Sequence, residues 1–206
     1  MSDAIKIEKP TTERTPHWLS QEQVDTITSQ AILTSMRDYI VLAVLLGAGL
    51  RREELEELTF DALSQVPYEN RMVDILTIIG KGDKKRIIPI SPLLASHLRE
   101  WKAVTGGGRV ARKMNKGGKV GKSLSAMGIF LLVRKYGLLV GIDDLDPHDC
   151  RRSYGRIMYY SNKRDIVLVK NLLGHENVRT TEKYIGLDLN LNIDVFPVGG
   201  LQVAGD

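Results

Sequence analysis

The stretch LLGHENVRTTEKYI sets His175 nine positions ahead of Tyr184, with Thr180 and Thr181 between them. Three other places in the chain carry side chains of matching chemistry. In DPHDCRR, His148 and Arg151 stand three apart at a helix start, on one face and beside backbone N–H groups that favour an anion, which is a phosphate-binding arrangement. Arg51 directly follows GAGL and begins the next helix, a junction that can hold a long cation rigidly beside a cleft. Lys81 is the centre of Gly-Lys-Gly at a hairpin tip, where the flanking glycines let backbone approach a large ligand. Each has a bland alternative: a solvated first turn, an Arg51 pair with Glu53 or Glu54, a soluble turn, a capping histidine and a core tyrosine. What argues for chemistry is that six such residues occur in one chain, because independent coincidences multiply.

Charge placement supports an anionic partner. The 206 residues carry 29 Lys and Arg against 25 Asp and Glu, a net charge of +4. Between Trp101 and Ile142 stand nine bases and no acid: Lys102, Arg109, Arg112, Lys113, Lys116, Lys119, Lys122, Arg134 and Lys135. Such a run is either a solvated face or a surface that tracks phosphates. The single cysteine, Cys150, excludes an internal disulfide and offers no metal cluster, so neither a metal nor a cofactor is expected. The first residues lack the apolar core of a signal peptide, and the longest apolar run, Tyr39 to Leu50, is far short of the roughly 18 residues of a membrane span. A soluble, cytoplasmic protein with no membrane partner is expected, nucleoid-associated in a prokaryote.

The elements that must position these residues are legible in outline. Residues 1–16 are polar and turn-rich and read as a flexible arm. Ser20 with Gln23 forms a capping-box pattern that opens a first helix, and a second, rich in apolar residues from Met36 to Leu46, should lie centrally and end at Gly47 and Gly49. A third starts near Arg51 with an acidic first turn. MVDILTII and KRIIPI, flanking GKGDK, read as an antiparallel hairpin. Helices then start at Ser91-Pro92, Ser125, Asp146-Pro147 and Asp165, and a short one carries Thr180 to Tyr184. The segment TGGGRVARKMNKGGKVGKS is compatible with tight turns, a short hairpin or simple flexibility. Strands and helices do not alternate, so the fold class is α+β: mostly helical, with a small antiparallel β-sheet on one edge.

Together GAGLRREELEEL, GKGDKKRIIPI, PHDCRRSYG and LLGHENVRTTEKYI resemble the four signature boxes of the tyrosine recombinase (phage-type integrase) family, and the likeness runs from Trp18 to about Leu187. It implies a catalytic domain over 17–206 and a catalytic set of Arg51, Lys81, His148, Arg151, His175 and Tyr184. In that reading the two arginines clamp the non-bridging oxygens of a phosphodiester, where losing one donor typically costs on the order of 100-fold in rate. Tyr184 is the nucleophile of a metal-independent strand cleavage and rejoining through a 3′-phosphotyrosyl link. His148 assists its deprotonation, Lys81 protonates the departing 5′-oxygen and His175 donates to a non-bridging oxygen. The implied partners are double-stranded DNA, further copies of the chain as a tetramer on DNA, and accessory DNA-bending proteins. Arg109, Arg112, Lys113, Lys116, Lys119, Lys122 and Arg152 are the candidate DNA-contacting cations. The chain departs from the pattern at Cys150, commonly leucine, and Arg152, often histidine. The family's usual amino-terminal core-binding domain is expected to be absent. Related alternatives are a type IB topoisomerase-like nicking and resealing enzyme, a DNA-binding protein retaining the fold, and a ribonuclease using His148 and His175.

Overall fold

A computed structural model describes residues 14–80, 84–115 and 117–187. Lys81, Lys116 and the first thirteen residues of the expected arm lie outside them. Helix α1 (Gln21–Thr34) opens with the foreseen capping box, Ser20 Oγ accepting from the Gln23 N–H while the Gln23 side chain accepts from the Ser20 N–H. Helix α2 (Met36–Ala48) runs through Gly47 and stops at Gly49, whose left-handed φ of 61° forms the cap. Ten of its thirteen residues are buried, so it is the central rod against which the rest packs. Gly49 is also a site of close approach: a Cβ there would run into the Tyr154 ring.

Helix α3 (Arg52–Glu57) follows after Arg51, which serves as its N-cap residue. Three antiparallel strands come next, β1 (Leu63–Tyr68), β2 (Arg71–Ile79) and β3 (Lys85–Pro89), in the order β1-β2-β3. The β2–β3 hairpin is the expected one, with Ile78 opposite Arg86 and Leu76 opposite Ile88. Strand β1 is additional. Its half-exposed LSQVPY, with Pro67 inside, gives almost no periodic signal, and Pro67 is tolerated because the strand is at the sheet edge.

Helix α4 (Pro92–Thr105) buries Trp101, whose indole N–H donates to the Val110 carbonyl at 2.9 Å. This bond pins the start of the glycine- and lysine-rich segment, which forms a second antiparallel pair, β4 (Arg112–Met114) and β5 (Val120–Ser123), with an irregular register. Helices α5 (Ala126–Gly137), α6 (Pro147–Ser161), α7 (Ile166–Leu173) and α8 (Val178–Ile185) begin at Ser125, Asp146, Asp165 and Asn177, each accepting backbone N–H bonds as an N-cap. The expected mostly helical α+β class is the observed one, with two small antiparallel sheets. Among the described residues no helix is long and apolar enough to cross a membrane.

Residues 14–19 lie across the start of α6. The Arg14 guanidinium pairs with Asp144 at 2.9 Å, Asp146 at 2.6 Å and the buried Asp149. The His17 N–H donates to Asp149 and the Leu19 N–H to Ser153 Oγ, at 3.1 and 2.8 Å.

Candidate active site

The Asp146 cap and Pro147 in the first turn of α6 set the phase of that helix, turning Arg151 inward and leaving His148 exposed. Arg151 is 1 % exposed, an extreme burial for a guanidinium. It is satisfied by two helix ends: Nη1 donates to the Gly49 carbonyl after α2 at 2.5 Å, and Nη2 donates to the Leu173 carbonyl at the end of α7. Burial, followed by the nearby Arg51 charge, lowers its pKa to about 10, so it stays cationic at neutral pH.

Arg51 reaches the same place from the other side. Its Nη1 donates to Glu54 Oε1 at 2.8 Å and its backbone N–H to Oε2 at 2.7 Å. The pairing weighed as a bland alternative is therefore present, and it holds Arg51 next to Arg151 instead of removing it from the site. Glu54 also receives both prongs of Arg86, and its carboxyl stands at about 2: burial would raise it, but the bonds from Arg86 and the Arg51 N–H, with the charges of Arg86 and Arg151, outweigh that.

Gly174, at φ +65°, caps α7 in the left-handed conformation and turns the chain so that His175 enters the site. His175 Nδ1 lies 3.0 Å from Thr181 Oγ1, and its ring meets the Tyr184 ring edge-on, centroids 5.1 Å apart. Burial, reinforced by Arg151, Arg51 and Arg86, depresses the imidazole to about 4, so it is neutral at pH 7. The nine-residue spacing noted in the sequence thus spans a cap, a turn and the first two turns of α8, and brings the two rings together.

The Tyr184 hydroxyl donates to the His148 carbonyl at 3.2 Å. Desolvation raises the phenol above its ordinary range, while Arg151, Arg152 and Arg51 pull it back down. Arg152 lies over the Tyr184 ring at 5.2 Å, held by Asp149 at 3.0 Å. It therefore belongs to the surroundings of the tyrosine. The Trp18 indole N–H donates to the Tyr184 carbonyl at 3.3 Å, tying residues 14–19 to the end of α8.

Of the six residues singled out, the side chains of Arg51, at the start of α3, Arg151 of α6, His175, between α7 and α8, and Tyr184 of α8 thus come together, while His148 joins them through its backbone carbonyl and keeps its ring exposed. Lys81 is outside the described residues, but the stem that carries it is placed: the Gly80 N–H donates to the Lys84 carbonyl, and Lys84 pairs with Glu176 at 2.7 Å, beside His175. The basic run divides. Arg109 donates to the Glu56 carbonyl and pairs with Glu57, tying the segment before β4 to α3, and Arg112 donates to the Gly121 and Gly107 carbonyls, bracing the β4–β5 hairpin. Lys113, Lys119 and Lys122 are exposed on it.

Arg86, Thr181, Trp18 and Asp149 were passed over in the sequence. Arg86 left a signal: in KRIIP the alternation puts Arg86 on the same inward face as Ile88. Trp18 left none, because its partner Tyr184 is 166 positions away, and Asp149 left only a helix-start signal beside Asp146, because Arg14 and His17, which it also holds, are more than 130 positions away.

Residues 17–190 of this mostly helical domain match the phage integrase family, to which the chain belongs. Among curated relatives it is similar to the tyrosine recombinase XerA of Pyrococcus horikoshii, 32% identical over 188 residues, covering 89% of this chain and 61% of that protein. The tyrosine recombinase XerC of Actinobacillus pleuropneumoniae is 31% identical over 192 residues, covering 91% and 60%. The chain therefore spans about three fifths of the length of these relatives. Its fold is that of the solved XerA recombinase (TM-score 0.64, 24% identity, 84% of this chain and 61% of that one). It is also that of a lambda integrase dimer bound to a COC′ core site (TM-score 0.63, 16% identity, 86% and 50%).

Proposed function

We propose that the chain cleaves and rejoins double-stranded DNA as a site-specific recombinase, with Tyr184 as nucleophile. The observation that carries this reading is the placement of the Tyr184 ring against His175 and within the field of Arg151, Arg152 and Arg51. In the cleavage step the Tyr184 oxygen bonds to phosphorus, the bond from phosphorus to the 5′-oxygen breaks, and a 3′-phosphotyrosyl ester forms. The phenolic proton passes to His148 or to water, and Lys81 supplies a proton to the departing 5′-oxygen. Rejoining is the reverse, so no bond energy is lost to hydrolysis.

Each cation has a geometric reason for its part. The transition state gathers charge on the non-bridging oxygens, and Arg151 and Arg51 are pre-held where reorganisation is small. His175, neutral at pH 7, donates through Nε2–H when the Thr181 hydroxyl donates to Nδ1, which fixes the tautomer. The Tyr184 hydroxyl must leave the His148 carbonyl to reach phosphorus, a short movement of α8. Exposed Lys113, Lys119 and Lys122, with Lys116 and the braced Arg109 and Arg112, serve the DNA backbone. Assembly as a tetramer on DNA, with DNA-bending helpers, completes the proposal.

The test is incubation with a suicide duplex whose nick lets the cleaved end diffuse away, followed by denaturing electrophoresis. A DNA-linked protein band is expected from the native chain and none from Tyr184→Phe, with duplex affinity kept. Equal bands from both chains would remove Tyr184 from the mechanism.

A further inference from the structure

Arg86 stands outside the set of six, yet it is the most constrained cation on the sheet side of the site. Strand alternation turns it inward beside Ile88, and its side chain is 10 % exposed. Nη1 and Nη2 donate one each to the two oxygens of Glu54, at 2.8 and 2.7 Å, in the planar fork that a guanidinium makes with a carboxylate. Its Nε donates to the Leu172 carbonyl at 3.1 Å, three residues before His175, and its Cδ packs on Gly174, where a Cβ would come within 3.1 Å. One side chain thus touches α3, which follows Arg51, and the end of α7, which leads to His175.

The charges explain what this contact does. Three guanidiniums, Arg51, Arg86 and Arg151, surround the single carboxylate of Glu54. Arg51 shares Oε1 at 2.8 Å, whereas Arg151 is kept 3.7 Å from Oε2. With both oxygens engaged by Arg86, the carboxylate orients Arg51 without neutralising it and leaves Arg151 directed at its two backbone carbonyls. Take Arg86 away and the same carboxylate, buried and still charged, turns to Arg51 and Arg151 and competes with an incoming phosphate for them.

We propose that Arg86 is a positioning residue: by occupying Glu54 and bonding the end of α7, it keeps that carboxylate from competing with a phosphate anion for Arg51 and Arg151. This rests on the recombinase reading in so far as that phosphate is the scissile one. Lysine cannot replace it, having one point of charge where both carboxylate oxygens and a carbonyl need donors.

The experiment compares Arg86→Met, Arg86→Lys and the double variant Arg86→Met with Glu54→Gln in single-turnover adduct formation on the suicide duplex, with thermal unfolding of each. Misplacement of reacting groups costs up to about 100-fold in rate, so Arg86→Met is expected to slow the adduct by about tenfold or more at saturating duplex, with Arg86→Lys close behind. Duplex affinity should stay within roughly threefold, since many other phosphate contacts support it. The double variant, neutral on both sides, should fold and recover part of the rate. A brace with no electrostatic part predicts the opposite, and a double variant as slow as Arg86→Met or slower overturns the proposal, as does an Arg86→Met variant at the native rate. A native chain that forms no adduct refutes the recombinase reading instead. In that case calorimetric titration with inorganic phosphate still decides: binding weakened by Arg86→Met and restored by the added Glu54→Gln supports the role, and equal binding in all chains refutes it.

Discussion

Glu54 allows a prediction that is independent of any DNA substrate. Its carboxyl sits near 2 in the folded chain against an ordinary 4.5, held there by Arg86 and Arg51 with a side chain 9 % exposed. The folded-state value is the depressed one, so the stabilisation is complete above about 4.5 and is lost as pH falls through that value toward 2. Proton linkage makes it about 3 kcal/mol at pH 7, of which about 2 kcal/mol is gone by pH 3. Replacing Glu54 by Gln removes that pH-dependent part and leaves any packing cost in place. Urea denaturation of the native chain and of Glu54→Gln, at matched pH from 7 down to 3, should give a stability difference that shrinks by about 2 kcal/mol over this range. At neutral pH the variant should melt roughly 6–12 °C lower, as expected for about 3 kcal/mol in a domain of this size. A stability difference that stays flat with pH would mean that the guanidiniums do not hold the carboxylate as described, and the reasoning about Arg51 and Arg86 would fall with it.

His175 should titrate near 4 when followed by NMR of the imidazole nitrogens. Because its folded value lies below the ordinary 6.5, its protonation in the unfolded chain should draw stability away as pH falls from 6.5 to 4; titration at 6.5 would place the ring in water. Gly49→Ala combines a left-handed backbone with a clash against the Tyr154 ring, so a loss of about 2 kcal/mol or more is expected in thermal unfolding, whereas an unchanged melting temperature would deny the close approach. Replacing Lys113, Lys116 and Lys119 together should flatten the dependence of log affinity for duplex DNA on log salt by up to about 0.9 per lost phosphate contact, and an unaltered slope would take the β4–β5 hairpin off the DNA.

Much of this protein was legible in local chemistry. Helix starts at Ser20, Ser91, Ser125, Asp146 and Asp165, and helix stops at Gly49 and Gly174, follow from capping preferences that need no tertiary partner. The β2–β3 hairpin was written in β-branched runs around a glycine turn, and the site residues stood in short motifs whose order suggested a shared phosphate. Strand β1 was not legible, because a half-exposed edge strand containing Pro67 has no period to detect. Nor was the manner in which the cations are held. The Gly49 and Leu173 carbonyls that receive Arg151, the Glu54 carboxylate that Arg51 shares with Arg86, and the Tyr184 ring under Arg152 are joined across separate elements. Sequence determines which side chains can carry charge and where helices begin and end, since those are properties of a few neighbouring residues. Which charges share one carboxylate, and which are buried deeply enough to shift, is set by burial and distance between segments far apart in the chain, and these exist only once the chain has folded.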